Sequence, residues 1–582
     1  MRIIKVLKAN LPLILIIALG AILRLWGVAS DWPLSSTVGD EVNILAGSLR
    51  MINEKSIIPH SSYTVYFPLM YYIHVLVFAV VSASLFIFGV INSLAGLKEL
   101  VILNLGHWLI MSRVISVVLG TASIYLIYSI ASKLFKRKST AYWAALLLAI
   151  SPLSVTLSHF GKIWTPQVFF MLLAFNVFLY YFKDNNRQLN WKGSLVSIFL
   201  IIISFSVNLL GILAYPLFLL VVFTYYCRCN LKTFIVFIKS RISILSHFIL
   251  LIGIGIILFL SSDQIRFYFD VFKTFFTNRT SAAPSLDLIW QVSPLFRVGL
   301  YLNILLQFET ILLILLPLSL WLIFKKNKQH FCFLLLAFLL FFVALGPPLM
   351  SSTRNRYLVL LVPFIVLPVA YLLDAFFRKF ERKKVVVVLA LIVVLVPSLW
   401  ININYSYLLQ RGSTKLSIYN WISDNLEPDE NILLVDLYLS QDLIPNYELI
   451  SLVKEYSPDY YSSRLKYLDN LPNKMIGHGI YSNAFICQWP EEAISQIEFD
   501  YIAIAEASSG VLHNPDQSYN FDFLHICDNM SIYKLNEEDL ILREENEYFH
   551  NYTIEDGNPM SSYLALGQIK KLGKPLNIYK LK

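Results

Sequence analysis

The stretch SRVISVVLGTASIYLIYSIASKLFKRK (112–138) joins a long apolar run to a basic cluster. A helix needs about 20 predominantly apolar residues to cross the hydrocarbon core of a bilayer, and Lys and Arg collect in the loops on its cytoplasmic side. The stretch therefore predicts a membrane-spanning helix whose carboxyl end lies in the cytoplasm.

The same pattern recurs throughout residues 1–403. Of the 582 residues of the chain, 57% are hydrophobic and 15% are charged, whereas soluble globular proteins carry about 25% charged residues. The composition therefore excludes a soluble protein and predicts a polytopic α-helical membrane protein. It has about eleven predicted spans, at 10–29, 113–132, 141–158, 166–182, 193–208, 210–226, 243–261, 306–324, 331–350, 357–377 and 385–403.

One further apolar segment, 67–90, is long enough to span but conflicts with the charge pattern. Counting it as a crossing would place the basic cluster 133–138 and every later one outside the cell, against the usual bias. We therefore predict that 67–90 is re-entrant or lies on the membrane surface, within a large first external loop, 30–112.

Residues 404–582 form a second predicted domain, which is polar and acidic. They hold 13 Lys and Arg against 26 Asp and Glu, while residues 1–403 hold 34 against 12. The basic residues are scattered between apolar runs and form no stripe, so nucleic acid is not an expected partner. Loop parity places this domain outside, and the protein is expected to be a multi-pass protein of the plasma membrane.

Local patterns predict that the extracytoplasmic domain is a small α/β domain. The segment 417–430 has helical spacing, and 432–436 and 499–507 are typical of buried strands. The runs FDFLHI and MSIYKL, separated by CDN, indicate a hairpin. Cys487 and Cys527 fall in this domain and either pair or remain free thiols.

The first external loop contains the one adjacent acidic pair of residues 1–403, Asp40-Glu41. Apolar residues with helical spacing follow it, so the pair is expected at a helix start on the membrane surface. A carboxylate there complements the helix dipole. It also suits a general base that takes a proton from an acceptor hydroxyl. The residues alone leave both interpretations open.

Cationic side chains supply candidate phosphate ligands on the same side. Arg354 and Arg356 lie where a predicted span enters from outside, and guanidinium donors match phosphate oxygens, although snorkelling of a flanking arginine is the alternative. Lys162, in the short external loop SHFGKIW (158–164), is a weaker candidate of the same kind. His159 is a candidate donor or second base, or a structural residue.

Three other polar residues sit in or near apolar runs, and we expect them to pair with the first-loop carboxylates: Arg24, Arg113 and His74. The chain has no GxxxxGK[ST] loop, no HExxH motif and no Cys-His cluster, which gives no support to an ATP-driven pump or a zinc protease. No metal site is predicted. Carboxylates and arginines at one membrane surface instead indicate a lipid-phosphate substrate in the outer leaflet.

The order of these parts resembles the GT-C membrane glycosyltransferases of the protein O-mannosyltransferase-like superfamily, which includes the lipid A aminoarabinose transferases. The likeness rests on several motifs in sequence order: LRLWG at the end of the first span, the GDE of the first loop, YFPLMYYI, SRVISVVLGTASIYLIYSIASKLF, SPLSVTLSHF and RYLVLLVPFIVLPVAYLL. It covers roughly residues 10–403 and, more loosely, the acidic domain.

The resemblance implies a polyprenyl-phosphate-linked monosaccharide as donor, with no further cofactor, and Asp40 as the base with Glu41 beside it. It also implies that the segment with Arg354, Arg356 and Tyr357 lies near the donor phosphate. The chain departs from several relatives, which carry a second acid in the loop that corresponds to 159–165. Either Asp40 suffices, or Glu41 or another loop supplies the second carboxylate, or the protein is not catalytic.

The expected function is therefore inverting transfer of a hexose or pentose from a polyprenyl-phosphate donor to an acceptor hydroxyl on the extracytoplasmic face. The acceptor, whether protein, lipid or polysaccharide, is not predicted. A transporter or flippase of a lipid-linked substrate is the main rival, and it would place charges at the bilayer midplane. A non-catalytic membrane receptor is the third possibility.

Overall fold

The structure is a computed structural model. It describes residues 2–35, 41–59, 67–184, 191–260, 294–345, 355–427, 430–435, 442–458, 461, 463–470, 478–482, 489–490, 493, 497–505, 519–521, 533–535, 540–544, 571–572 and 576–581.

The described part of the chain before residue 412 is mainly helical. Its α-helices are α1 Arg2–Leu25, α2 Glu41–Glu54, α3 Pro68–Ile87, α4 Leu94–Leu103, α5 Leu105–Phe135, α6 Lys138–Ala149, α7 Pro152–Ser158, α8 Trp164–Leu179, α9 Trp191–Phe205, α10 Ala214–Val221, α11 Leu231–Ile238, α12 Arg241–Leu260, α13 Pro294–Lys326, α14 Lys328–Leu345, α15 Val362–Lys379 and α16 Lys384–Arg411. Shorter 3₁₀ or π turns are Tyr180–Asp184, Leu209–Leu213, Val222–Tyr226 and Asn355–Leu361.

The protein is a polytopic helical membrane protein, as predicted. Within the described ranges, nine helices are long and apolar enough to cross a membrane, and α6 with α7, bent by 53° at a short break, make a tenth. The predicted spans at 10–29 and 193–208 correspond to shorter apolar helices, Asn10–Leu25 and Trp191–Phe205.

The segment 67–90 forms α3, which also has the length and hydropathy of a span. Helix α3 packs against α2, and 28% of its 18-residue apolar stretch is buried inside the protein. Its path relative to the membrane therefore stays a prediction.

Helix α5 lies at the centre of the helical part, packed against α1, α6 and α8. Small residues allow this close approach. A Cβ at Gly120 would lie 2.6 Å from Ser158 Oγ and 2.9 Å from the methyl group of Thr165. Small residues at helix contacts are typical of membrane proteins, where packing and hydrogen bonds replace the hydrophobic effect as the force between helices.

The C-terminal part is a small α/β unit. Its elements are α17 Thr414–Asn425, β1 Asn431–Val435, α18 Tyr447–Tyr456, α19 Ser463–Asp469, β2 Gly479–Ser482, β3 Tyr501–Ala505, β4 Tyr519–Phe521, β5 Tyr533–Leu535, β6 Leu540–Glu544 and β7 Leu576–Lys580. Five strands form one sheet in the order β2-β1-β3-β7-β6. Strands β2, β1 and β3 run parallel, and β7 is antiparallel to both of its neighbours.

Most local predictions for this unit are confirmed. The predicted strand 432–436 is β1, and its apolar run is buried because the strand pairs in parallel on both sides. The predicted strand 499–507 contains β3, and the predicted helix is α17, with Ile418 and Ile422 buried.

The predicted hairpin is confirmed in its pairing. Strands β4 and β5 are antiparallel, with Tyr519 opposite Leu535 and Phe521 opposite Tyr533. The residues between the two strands, together with Cys487 and Cys527, fall outside the described residues.

Two carboxylates tie the helical part to this unit. Asp31 Oδ1 accepts a hydrogen bond from the Ser413 backbone N–H at 2.5 Å, and Asp442 Oδ1 accepts from the Ser35 N–H at 2.8 Å. The predicted domain boundary at 403 lies inside α16, which continues to Arg411. Asp31 and Ser35 of the first external loop are therefore held by the chain beyond that boundary.

Candidate active site

A fully buried ion pair lies at the start of α2. Glu41 and Arg113, 0% and 2% exposed, meet in a bidentate pair, with Nε 2.8 Å from Oε1 and Nη2 2.9 Å from Oε2. The fork of a guanidinium matches both oxygens of a carboxylate. Arg113 lies in the first half of α5, so this pair fixes the start of α2 against the central helix.

The third nitrogen of Arg113 holds the chain that leaves the first helix. Nη1 donates to the carbonyl oxygens of Val28 and Ser30, at 3.1 and 2.7 Å. One guanidinium thus joins the segment after α1 to the start of α2. Arg113 is the expected partner of a first-loop carboxylate, and the structure confirms that pairing.

Glu41 also binds the loop between α7 and α8, because the Gly161 N–H donates to Oε1 at 2.6 Å. Only glycine fits here: a Cβ at Gly161 would lie 2.2 Å from Ser112 Oγ and 3.2 Å from the Ser112 backbone carbon. Ser112 is in turn 2.7 Å from His74 Nε2, and His74 Nδ1 lies 2.7 Å from the Met70 carbonyl oxygen. His74 therefore binds Ser112 and its own helix, and it does not pair with Glu41.

Arg24 does not pair with a carboxylate among the described residues either. Its guanidinium donates to the backbone carbonyls at the end of α6. Arg24 therefore does not pair with Glu41, and Asp40 lies outside the described residues.

Asp40 lies outside the described residues, so its role stays a prediction. The contacts of Glu41 nevertheless indicate what its own carboxylate does. Both oxygens of Glu41 are occupied by Arg113 and Gly161, so this carboxylate is an anchor rather than an accessible base.

His159 lies between the buried cations. Its Nε2 is 2.9 Å from the carbonyl oxygen of Trp26, which an N–H on that nitrogen satisfies. Burial, followed by the nearby charges of Arg24 and Arg113, lowers the pKa of His159 to about 4. The imidazole is therefore neutral at pH 7, with one nitrogen committed to a backbone carbonyl.

Two of the predicted substrate-binding residues, Arg356 and Tyr357, come together around one indole, that of Trp164. Arg356, 5% exposed, has its guanidinium carbon 5.4 Å from the ring centre of Trp164 and 5.7 Å from that of Tyr357. The two rings meet edge to face at 5.0 Å. Lys162, also buried, lies two residues before Trp164. Ring faces stabilise a desolvated cation by about 0.5–2 kcal/mol. The other predicted arginine, Arg354, lies outside the described residues.

The loop 159–163 joins these two groups of residues. Its Gly161 contacts Glu41, and Lys162 and Trp164 continue toward Arg356. Sequence reasoning missed the Gly161 N–H and the Trp164 ring, although the Gly in HFGKIW was a usable signal for close backbone approach.

A cavity of about 450 Å³ lies on the other side of the segment that Arg113 holds. It combines apolar and polar groups, and its walls are Leu25, Gly27, Val28, Ala29, Ser30, Asp31, Trp32, His107, Ile110, Gln410, Gly412 and Leu416. It therefore opens between the end of α1, the start of α5 and the end of α16.

Comparisons with known proteins agree with the sequence-based resemblance. The family model "Dolichyl-phosphate-mannose-protein mannosyltransferase" matches residues 106–269. Arg113, His159, Gly161 and Lys162 all lie in that segment. The match is to a family of glycosyltransferases and confirms the predicted resemblance for this part of the chain. No curated protein sequence matches the chain.

The chain also resembles several solved structures, with low sequence identity and TM-scores below 0.5. The Archaeoglobus fulgidus oligosaccharyltransferase, in complex with Zn and sulfate, is 14% identical, with a TM-score of 0.46 over 85% of this chain and 68% of that one. The A. fulgidus oligosaccharyltransferase AglB, in complex with an inhibitory peptide and a dolichol-phosphate, is 14% identical. Its TM-score is 0.46, over 86% of this chain and 70% of that one. ArnT from Cupriavidus metallidurans, bound to undecaprenyl phosphate, is 14% identical. Its TM-score is 0.48, over 88% of this chain and 96% of that one.

Proposed function

We propose that the protein is a membrane glycosyltransferase that moves a monosaccharide from a polyprenyl-phosphate donor to an acceptor hydroxyl on the extracytoplasmic face of the plasma membrane. One observation carries the proposal. The segment that matches the mannosyltransferase family supplies Arg113 and Gly161, the two groups that together hold Glu41 beside Asp40.

In this proposal Asp40 is the general base. It takes the proton of the acceptor hydroxyl as the oxygen attacks the anomeric carbon, and the bond from that carbon to the phosphate oxygen breaks. The lipid phosphate leaves with the electron pair, so the sugar is transferred in one displacement with inversion. Positioned bases of this kind contribute about 10²–10⁴-fold to a rate.

Arg356, with Tyr357, Lys162 and the predicted ligand Arg354, stabilises the leaving phosphate. A guanidinium held against two rings is already oriented, so charge that develops on the phosphate meets a cation that needs no rearrangement. The donor is itself the lipid-linked substrate, its tail lies among membrane lipids, and the proposal includes no other cofactor.

Lipid mass spectrometry on the purified protein, followed by a turnover assay, tests the proposal. We expect a co-purifying polyprenyl-phosphate sugar, and release of polyprenyl phosphate when the protein in nanodiscs receives short-chain polyprenyl-phosphate mannose or aminoarabinose together with membrane extract as acceptor source. Arg356→Ala should lower turnover by about 10²-fold. Arg50→Ala, which removes an exposed ion pair within α2, is the matched control and should keep full turnover.

Donor that binds and is never cleaved by the wild-type protein would overturn the proposal in favour of a transporter. Neither binding nor cleavage of any polyprenyl-phosphate sugar would favour a receptor.

A further inference from the structure

The span formed by α6 and α7 is broken inside the helical part, and side chains from α1, α13 and α16 form hydrogen bonds at the break. Helix α6 ends at Ala149, α7 begins at Pro152, and the two are bent by 53°. A break leaves carbonyl and N–H groups without partners inside the helix. In a membrane such groups must be satisfied by protein.

Arg24, from α1, satisfies the end of α6. Its Nη1 donates to the Ala149 carbonyl at 3.0 Å, and its Nη2 donates to the Leu148 carbonyl at 3.2 Å. Asn402, from α16, donates to the Ile150 carbonyl at 2.8 Å. Three consecutive carbonyl groups are therefore bonded by two side chains, and a cation at a helix carboxyl end is also electrostatically favourable.

Glu309, from α13, bonds the other side of the break. Its Oε1 accepts from Ser151 Oγ at 2.5 Å and from the Leu153 N–H at 3.3 Å, and the residue is 1% exposed. Glu309 itself interrupts α13, with φ −115° and ψ 39°. Two interrupted helices thus meet at this carboxylate.

A chain of hydrogen bonds connects the two charges through the first turn of α7. Ser151 Oγ donates to Glu309 and accepts from the Ser154 N–H at 3.3 Å, and Ser154 Oγ accepts from Arg24 Nη2 at 2.9 Å. The start of α7 is therefore held from both sides by charged groups of two other helices.

The consequence lies at the other end of α7. This helix has only seven residues, Pro152–Ser158, and the loop 159–163 follows directly. A tilt at the break is transmitted over two turns to Gly161, which bonds Glu41, and to Lys162.

We propose that Glu309 is a positioning residue for sugar transfer. It sets the direction of α7 and thereby places the Gly161 N–H on Glu41, next to the base Asp40. This role rests on the proposed function, but the placement of α7 does not, and the two are tested separately.

Hydrogen exchange in nanodiscs tests the placement without any substrate. Glu309→Ala should increase the exchange of peptides within 152–163 by about 10-fold or more, because the Ser151 and Leu153 contacts are lost. Glu309→Gln keeps an acceptor oxygen and should stay close to the wild type. Thr310→Ala is the matched control on the same helix, since its hydroxyl bonds the Leu306 carbonyl of that helix. Unchanged exchange in Glu309→Ala would overturn the proposal.

Turnover tests the consequence for chemistry. We expect kcat per folded molecule to fall by about 10- to 100-fold in Glu309→Ala, with the donor KM changed by less than about threefold, because displacement of a site by about 1 Å costs rate more than binding. Glu309→Gln should restore most of kcat. A loss of melting temperature with unchanged kcat per folded molecule would reduce Glu309 to a structural residue and contradict the proposal.

A smaller change covers the case in which Glu309→Ala does not fold. Ser151→Ala removes only the hydroxyl between Glu309 and Ser154, and it should raise exchange in 152–163 and lower kcat in the same direction, by about 3- to 10-fold. A normal kcat and normal exchange in Ser151→Ala would contradict the proposal. If the wild type transfers no sugar while Glu309→Ala still mobilises 152–163, the proposed function fails and the placement stands.

Discussion

Two buried charge clusters in the helical part differ in what their charges meet. At the start of α2, Glu41 and Arg113 bond each other in a bidentate pair. At the break between α6 and α7, Arg24 and Glu309 bond backbone groups and serines instead. Breaking a buried pair leaves an isolated charge, whereas a charge that serves a helix end can be replaced by a neutral group with the same hydrogen bonds.

The difference separates two tasks. The Glu41–Arg113 pair holds the start of α2 against α5 at the candidate site. The contacts at the α6–α7 break set the direction of α7, which leads to the loop 159–163. His159 is influenced by both clusters, because the charges of Arg24 and Arg113 both lower its pKa. The comparison therefore predicts graded effects of substitution.

The largest effect is expected from Glu41→Gln. It leaves the Arg113 charge buried without its partner, which should cost about 3–5 kcal/mol in the free energy of unfolding. The measurement is unfolding by SDS titration from mixed micelles. Glu54→Gln, at the exposed end of the same helix, should cost less than about 1 kcal/mol. An equal loss of unfolding free energy in the two variants would contradict a larger contribution of the buried Glu41–Arg113 pair to stability.

Arg24→Leu should have an intermediate effect. It leaves the Leu148 and Ala149 carbonyls without partners but removes the charge as well, so we expect a cost of about 2–3 kcal/mol in the same titration. Arg24→Lys should recover part of it, because an ammonium group reaches one carbonyl rather than several. If Arg24→Leu lowers the free energy of unfolding as much as Glu41→Gln does, the two clusters do not differ in the way proposed here.

The smallest effect concerns pH. The unfolded imidazole of His159 binds a proton below its ordinary pKa of 6.5, while the folded one does so only near 4. Stability should therefore fall as the pH drops through this window, by about 1.4 kcal/mol at pH 5.5 relative to pH 8. His159→Gln keeps a donor for the Trp26 carbonyl and should flatten that part of the profile. An unchanged profile would contradict a buried neutral His159.

Sequence patterns predicted the elements that depend on local composition. Apolar runs followed by basic clusters located the spans, and β1, β3 and the buried face of α17 followed from periodicity. The sequence did not reveal the partners of isolated polar groups. Nothing local in FETILL shows that Glu309 meets Ser151, because that contact joins residues far apart in the chain.

The candidate site shows the same limit. Asp40-Glu41 stood out as an acidic pair, but only the fold distinguishes the acid that is anchored from the one that precedes it. Arg24 and Arg113 looked alike as buried cations, and tertiary packing gave them different partners. Arg356 was predicted as a phosphate ligand, while its stacking on Trp164 needed α8 and the 3₁₀ turn Asn355–Leu361 to meet.

The most direct test of the central claim is the single-turnover rate of Asp40→Asn on protein preloaded with a polyprenyl-phosphate sugar. Asparagine keeps the size of the side chain but does not accept a proton at neutral pH. We predict a rate about 10²–10⁴-fold below the wild type, with donor occupancy and melting temperature unchanged. A wild-type rate in Asp40→Asn would contradict the assignment of Asp40 as the base of a glycosyl transfer.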